Sequence, residues 1–249
     1  MKAKKILSFT IVLVLLVSLF TFAPTANAAS DNPVKLIYAK PEITDYNKLS
    51  ATGYVEVENI AYEKNVTIHY SYDGITWQDT SAEYYKPTWG NYEAWKFQTP
   101  AVTLGYREHA TITFAIKYEV NGQTYWDNNN GKNYSVAAGY ETTSRYDFGS
   151  GGVAAFYSYR ISDSYPIQGS LQLKDLDYEK DVKVQYTTDN WETVNEVNAE
   201  YGYTFEENNS VQVWYYQIPY TENQVTYKIL YTVNGITYVD DNFGEYYTV

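Results

Sequence analysis

The sequence predicts an all-β protein made of two tandem antiparallel β-sandwich domains, and three observations carry that prediction. Apolar and polar residues alternate with a period of two along the regular stretches, one unit of sequence occurs twice, and Asn-Gly pairs stand between strand-like runs.

The alternation comes first because it sets the element type. Val66, Ile68, Tyr70 and Tyr72 alternate with Thr67, His69 and Ser71, and Ile112, Phe114, Ile116, Tyr118 and Val120 alternate with Thr111, Thr113, Ala115, Lys117 and Glu119. Val182, Val184 and Tyr186 repeat the pattern, as do Val225, Tyr227, Ile229, Tyr231 and Val233. Successive side chains of a strand point to opposite faces, so such runs describe strands with one face buried and the other wet. Asn121-Gly122 and Asn234-Gly235 each separate two such runs, and both residue types tolerate the positive φ of a type I′ hairpin turn. No stretch beyond the amino-terminal segment carries a sustained helical period.

The repeat sets the domain count. Ile112 to Val136 aligns without gaps on Val225 to Val249, with 13 of 25 positions identical. Upstream, Asn59 to Trp77 returns as Asp175 to Trp191, and Ala82-Glu83-Tyr84 returns as Ala199-Glu200-Tyr201. Two copies of this length read as two domains, 31–137 and 153–249, not as a solenoid. Between them, residues 138–152 end in Phe148-Gly149-Ser150-Gly151-Gly152, a composition that predicts a flexible linker.

The first 28 residues predict the compartment. Lys2, Lys4 and Lys5 precede an apolar run from Ile6 to Phe22, and Ala26-Asn27-Ala28 supplies small residues at a cleavage position. This is the pattern of a secretory signal peptide over 1–28; no basic stop-transfer cluster follows, so the expectation is a secreted protein with no membrane association after cleavage. Loss of three lysines and no acid with that segment would take the formal charge from −12 to −15. So acidic a surface repels nucleic acid and acidic polysaccharide, and favours a neutral ligand. With no cysteine, each domain rests on its hydrophobic core alone.

Catalysis has little material. The chain has two histidines, His69 and His109, and His69 aligns with Gln185, so a Ser-His-Asp arrangement is not supported. Asp127-Asn128-Asn129-Asn130-Gly131 lacks the Gly and Glu positions of an EF-hand loop, so no metal is expected, and no cofactor. The aromatic content is the distinctive feature: 30 Tyr, 9 Phe and 6 Trp. Tyrosine suits strands, so most of these rings are expected to pack or to line the pleat.

The ordered pattern Y-E-K, then a Trp after a short loop, then Y-W-D-N-N-N-G and N-Y, resembles carbohydrate-binding module family 21, the starch- and glycogen-binding domains. The resemblance covers nearly all of 34–136 and, more loosely, 154–249. It implies an immunoglobulin-like sandwich that binds α-1,4-glucan without cleaving it, through two aromatic sites on each module. Carried over residue by residue, the first site of module one is Trp77 and Trp126 with Asn128 and Asn133, and the second is Tyr62 and Tyr84. In module two the matching residues are Trp191 for the first site, and Tyr178 and Tyr201 for the second. Val239 stands where an aromatic belongs, and Ala115 and Lys228 replace a further supporting ring. These residue types suit the ligand, because a glucose ring offers an apolar C–H face for a flat aromatic and a rim of hydroxyls for amides and carboxylates. Trp95 and Trp214, in short strand-like runs, are read as core.

The implied ligand is an α-glucan polysaccharide or malto-oligosaccharide, with a separate amylolytic enzyme as a candidate partner. The competing reading is an extracellular structural or adhesive protein that uses the same sandwiches to hold another protein or a cell surface. An R-V-x-F phosphatase-docking peptide is absent from the sequence.

Overall fold

In the computed structural model the described residues are 32–44, 47–105, 109–139, 142–162, 164–205 and 208–249. The segment read as a signal peptide, 1–28, lies outside them. The first sandwich pairs two sheets. One contains β1 (Val34–Thr44), β2 (Lys48–Glu58), β5 (Glu83–Pro87), β6 (Tyr92–Gln98) and β7 (Val102–Thr103). The other contains β3 (Lys64–Ser71), β4 (Gln78–Ser81), β8 (His109–Val120), β9 (Gln123–Asp127) and β10 (Tyr134–Gly139). The alternation is realised: Val66, Ile68, Tyr70, Ile112, Phe114, Ile116 and Tyr118 point inward and meet Leu36, Val55 and Val57 in one core. The hairpin joining β8 to β9 turns through Asn121 at φ 50° and Gly122 at φ 72°, both positive as a type I′ turn requires.

The second sandwich repeats the plan. Strands β13 (Val153–Arg160), β14 (Ile167–Lys174), β17 (Glu200–Phe205) and β18 (Asn208–Ile218) form one sheet. Strands β15 (Lys180–Thr187), β16 (Asn195–Asn198), β19 (Thr226–Val233), β20 (Ile236–Asp240) and β21 (Tyr247–Thr248) form the other. All strand pairs are antiparallel, and the core again lies between the sheets, around Leu171, Leu173, Val184, Tyr227, Ile229 and Tyr231.

One carboxylate in each module joins the two sheets. Asp127, at the end of β9, accepts the Leu36 backbone N–H of β1 at 2.7 Å and the Tyr134 hydroxyl at 2.9 Å. Asp240, at the end of β20, accepts the Ala155 N–H of β13 at 2.6 Å and the Tyr247 hydroxyl at 2.9 Å. The two strands bridged belong to opposite sheets and share no ladder. The conserved element of the internal repeat, Tyr-x-Asp followed seven residues later by Tyr, is therefore a clamp across the open side of the sandwich.

The stretch between the repeats differs from the expectation of a flexible linker. Residues Thr142–Arg145 form β11 on the edge of β10, and Asp147–Phe148 form β12 on the edge of β1. Tyr146 and Phe148 are buried with Ala154 and Val211 in a third small core, and Tyr38, Phe156 and Phe205 pack against it. The amide of the buried Gln172 donates to the Ser144 carbonyl at 2.6 Å and accepts the Tyr146 N–H at 2.9 Å, so the connector's backbone is satisfied by module two. The glycines that follow serve close approach: a Cβ on Gly149 would lie 2.1 Å from the Leu36 carbonyl oxygen, and one on Gly152 2.4 Å from the Tyr238 ring. Composition alone could not distinguish glycines that loosen a chain from glycines that let two backbones touch.

A second contact ties the modules together. Phe243, at φ 56°, sets its ring 4.4 Å from Tyr54 and 5.5 Å from Tyr85 of module one. Lys86 donates to the Phe243 carbonyl at 2.7 Å and to Glu245 at 2.9 Å. A bulky residue in the left-handed region is strained, and here the packing between modules maintains it. Residues 32–249 form one compact unit.

Two outcomes follow from this packing. Tyr146→Ala removes the ring at the centre of the third core; it is expected to cost about 3 kcal/mol and to split one calorimetric unfolding transition into two. Burial pushes the Asp240 carboxyl up to about 6 from its ordinary 3.8. The folded chain then holds a proton between those values that the unfolded chain has released, so this contribution to stability is present below about pH 4 and lost as pH rises through about 6. Urea midpoints should therefore fall between these pH values more steeply in the native chain than in Asp240→Asn.

Candidate functional site

The loop after β3 presents the first aromatic. Asp73 accepts the N–H groups of Ile75 at 2.8 Å and Thr76 at 2.7 Å, and the Ser71 hydroxyl at 3.0 Å. These donors, the Thr76 and Ile75 backbone N–H groups foremost, hold its carboxyl well below the usual carboxylate range. The loop so fixed delivers Trp77, half-buried, onto the imidazole of His69, ring centroids 4.8 Å apart and planes 12° from parallel. Period two along β9 turns Tyr125 toward the core and Trp126 outward, where its edge meets the same imidazole at 5.9 Å and 80°. The His69 Nδ1 lies 2.6 Å from Asp79 Oδ1, which orients the ring. Trp77, His69 and Trp126 thus form one aromatic group on the outer face of the sheet.

Asn128 and Asn133 lie in the loop that follows. Asn128 is exposed, and its side-chain oxygen accepts the Gly131 N–H at 3.0 Å. Asn129 and Asn133 take positive φ, at 52° and 59°, which asparagine tolerates.

The equivalent place in module two is built differently. Asp189 anchors the loop through the Thr187 and Thr193 hydroxyls and the Thr193 N–H, which hold its carboxyl down to about 2. Trp191 follows at φ 69°, but its ring packs on Tyr246 at 4.6 Å, and the Lys228 ammonium lies 5.2 Å from its centre. Gln185 takes the place of His69, and Val239 is exposed in the place of Trp126. Trp191, half-buried like Trp77, thus packs against residues of its own module, and with Val239 in place of a ring the aromatic group of module one has no counterpart among these residues.

The second site is alike in both modules. Tyr62 and Tyr178 stand almost clear of the protein, 96% and 91% exposed. Tyr84 meets Trp95 edge-on at 6.1 Å and 85°, and Tyr201 meets Trp214 at 6.0 Å and 84°. In module one Tyr62, Tyr84 and Trp95 line a concavity of about 680 Å³ with Asn59, Lys64 and Glu93. Trp95 and Trp214, read as core from sequence, are half-buried: each packs on its core and turns an edge toward the exposed tyrosine.

A polar network lies beneath. Lys64 donates to Glu93 at 2.7 Å and to Asn59, and the Trp95 N–H donates to Glu93 at 3.2 Å. In module two Lys180 pairs with Asp175 and donates to Gln212 at 3.2 Å, and Trp214 donates to Gln212 at 3.0 Å. The repeated Glu-Lys after each exposed tyrosine was the signal for this network, since a lysine kept in both copies at a strand's start has a fixed partner. His69 had no such signal, its counterpart being Gln185.

Comparison with known proteins matches a family model described as carbohydrate/starch-binding module (family 21) to residues 29–137 and 154–249. Glucoamylase 1 of Rhizopus oryzae is 40% identical over 112 residues, 42% of this chain and 17% of the relative. Protein phosphatase 1 regulatory subunit 3B of Homo sapiens is 38% identical over 88 residues, 34% of this chain and 30% of the relative. The chain thus spans less than a third of either relative's length. A solved structure of the starch-binding domain of Rhizopus oryzae glucoamylase with β-cyclodextrin and maltoheptaose is 36% identical, covers 45% of this chain and 98% of that one, and has a TM-score of 0.34. That of the carbohydrate-binding module of the muscle glycogen-targeting subunit of protein phosphatase 1 is 27% identical over 42% of this chain and 74% of its own, with a TM-score of 0.32.

The buried pair under the second site sets a stability expectation. The Lys64 side chain is only 4% exposed, so Glu93→Ala leaves an ammonium without its main partner and should cost about 3 kcal/mol in urea unfolding. Glu245→Ala, which breaks the solvated pair with Lys86, should cost less than about 1 kcal/mol.

Proposed function

The chain belongs to carbohydrate-binding module family 21, and we propose that it is a secreted, non-catalytic protein that binds α-1,4-glucan: starch, glycogen or malto-oligosaccharide. The observation that carries this reading is the aromatic corner of the second site: Tyr62, almost fully exposed, shares a concavity with the Tyr84–Trp95 pair, and module two repeats both the exposed tyrosine, Tyr178, and the pair, Tyr201–Trp214. A large ring held clear of the protein has no role in packing, and a flat apolar face beside polar groups complements the C–H face and hydroxyl rim of a hexose. The group formed by Trp77, His69 and Trp126 gives module one a further surface of the same chemistry. The acidic balance of the chain agrees with a neutral ligand. Secretion is supported by the charged, apolar and small-residue order of residues 1–28. The match to the family model described as carbohydrate/starch-binding module, and the 40% identity to Glucoamylase 1 of Rhizopus oryzae over 112 residues, support the choice of α-glucan.

Each stacked ring contributes on the order of 1–3 kcal/mol, by analogy with base stacking. After the cost of association, one site binds weakly, with Kd roughly in the tens of μM to mM range. Several sites on one compact chain raise the effective affinity for a long repetitive polymer, because the second contact is made at high local concentration.

Native gels containing amylopectin should retard the chain, and gels containing xylan should not. Tyr62→Ala combined with Tyr178→Ala is expected to weaken amylopectin binding by about 10-fold or more, and Trp77→Ala with Trp126→Ala to weaken it further. Equal mobility in both polysaccharides would favour the adhesive-protein reading, and release of reducing sugar from soluble starch would overturn the non-catalytic assignment.

A further inference from the structure

The β5–β6 turn of module one carries a tryptophan that neither site uses. Trp89 is 78% exposed. The turn beneath it is ordered: the Thr88 N–H donates to the Tyr92 carbonyl at 2.9 Å, and the Thr88 hydroxyl reaches Glu56 at 3.4 Å. An indole so little covered stabilises no core, yet it is held at the tip of a tight turn.

Trp89 lines a cleft of about 540 Å³ at the junction of the modules. Module one also supplies Tyr38 and Glu56, and module two supplies Tyr238, Val239, Asp241 and Phe243. The volume falls in the range of small-molecule sites, roughly 300–1,000 Å³, and is close to the concavity at Tyr62 and Tyr84. Val239 is the position whose counterpart in module one is Trp126, and it is 51% exposed into this cleft. Module two has thus lost its own flat ring at the place where the neighbouring module brings one in. The carboxylates of Glu56 and Asp241 beside the indole exclude an anionic ligand and offer acceptors to hydroxyl groups.

We propose that this cleft is an additional α-glucan site shared by the two modules, in which Trp89 supplies the stacking plane that Val239 cannot. The proposal rests on the reading of the chain as a glucan-binding protein. It also gives the buried connector a functional consequence, because a site made from two modules needs their relative position held by Tyr146, Gln172 and the Phe243 contact.

The test follows the six tryptophan indole N–H resonances of the full chain by NMR during titration with maltoheptaose, the Trp89 resonance being identified with Trp89→Phe. The Trp89 signal is expected to shift and saturate, and Val239→Glu, which places a charge in the cleft, is expected to raise its midpoint at least about tenfold. The responses of Trp77 and Trp126 serve as the reference. If those signals move and that of Trp89 does not, the junction site is overturned and glucan binding stands. If Trp89 shifts identically in Val239→Glu, the ring acts alone and the shared site is overturned. If no tryptophan responds, both the junction site and the glucan-binding reading fall.

Discussion

The carboxylate at the end of the Tyr-x-Asp step is the constraint on which each sandwich depends. A sheet pair packed only through apolar contacts can slide, because the hydrophobic effect has no direction. Asp127 and Asp240 remove that freedom by accepting, across the open side of the sandwich, an N–H from the first strand of the opposite sheet and a tyrosine hydroxyl from the strand after the next loop. Once the carboxylate is placed, its neighbours are placed too. The preceding residue must point outward, which exposes Trp126 in one copy and Val239 in the other. The following loop must return within seven residues to bring the tyrosine back, which sets its run of positive φ angles.

The same loop then serves opposite purposes in the two modules. In module one it is rich in asparagine, whose short amide accommodates the left-handed region, and the loop bonds to itself through Asn128 and Asn129. In module two the equivalent left-handed positions hold Phe243 and Tyr246. Both rings have packing partners that offset the strain: Phe243 lies between Tyr54 and Tyr85 of module one, and Tyr246 packs on Trp191. One copy has kept an open aromatic surface, and the other has converted the corresponding loop into an intermodule contact. The junction core around Tyr146 completes that contact and makes the pair a compact unit in place of two beads on a string.

The architecture was legible in the residues because burial of alternate side chains leaves a direct trace in the chain. Val66 to Tyr70 and Val225 to Val233 show it, and the Asn-Gly turns between strands need no tertiary partner. The exposure of Tyr62 and Tyr178 was legible for the same local reason, since both precede a strand and no neighbouring residue covers them. Trp95 and Trp214 were read as wholly core because a tryptophan on an apolar strand face is usually buried, and only the neighbouring strand reveals the edge each turns toward Tyr84 or Tyr201. The surroundings of Trp191 were not legible: its loop matches that of Trp77, but its ring packs on Tyr246 and faces Lys228, both distant in sequence.

By itself, the amino-acid sequence determined the strands, their inward faces, the hairpin turns and the twofold repeat, because each follows from interactions between residues near in the chain or from a period it repeats. Only the tertiary structure decided which glycines are spacers and which are points of contact, which rings are covered, and how one module lies against the other. Those outcomes depend on partners dozens of residues away, such as Gln172 for the connector and Tyr54 for Phe243, and no local pattern encodes the identity of a distant neighbour.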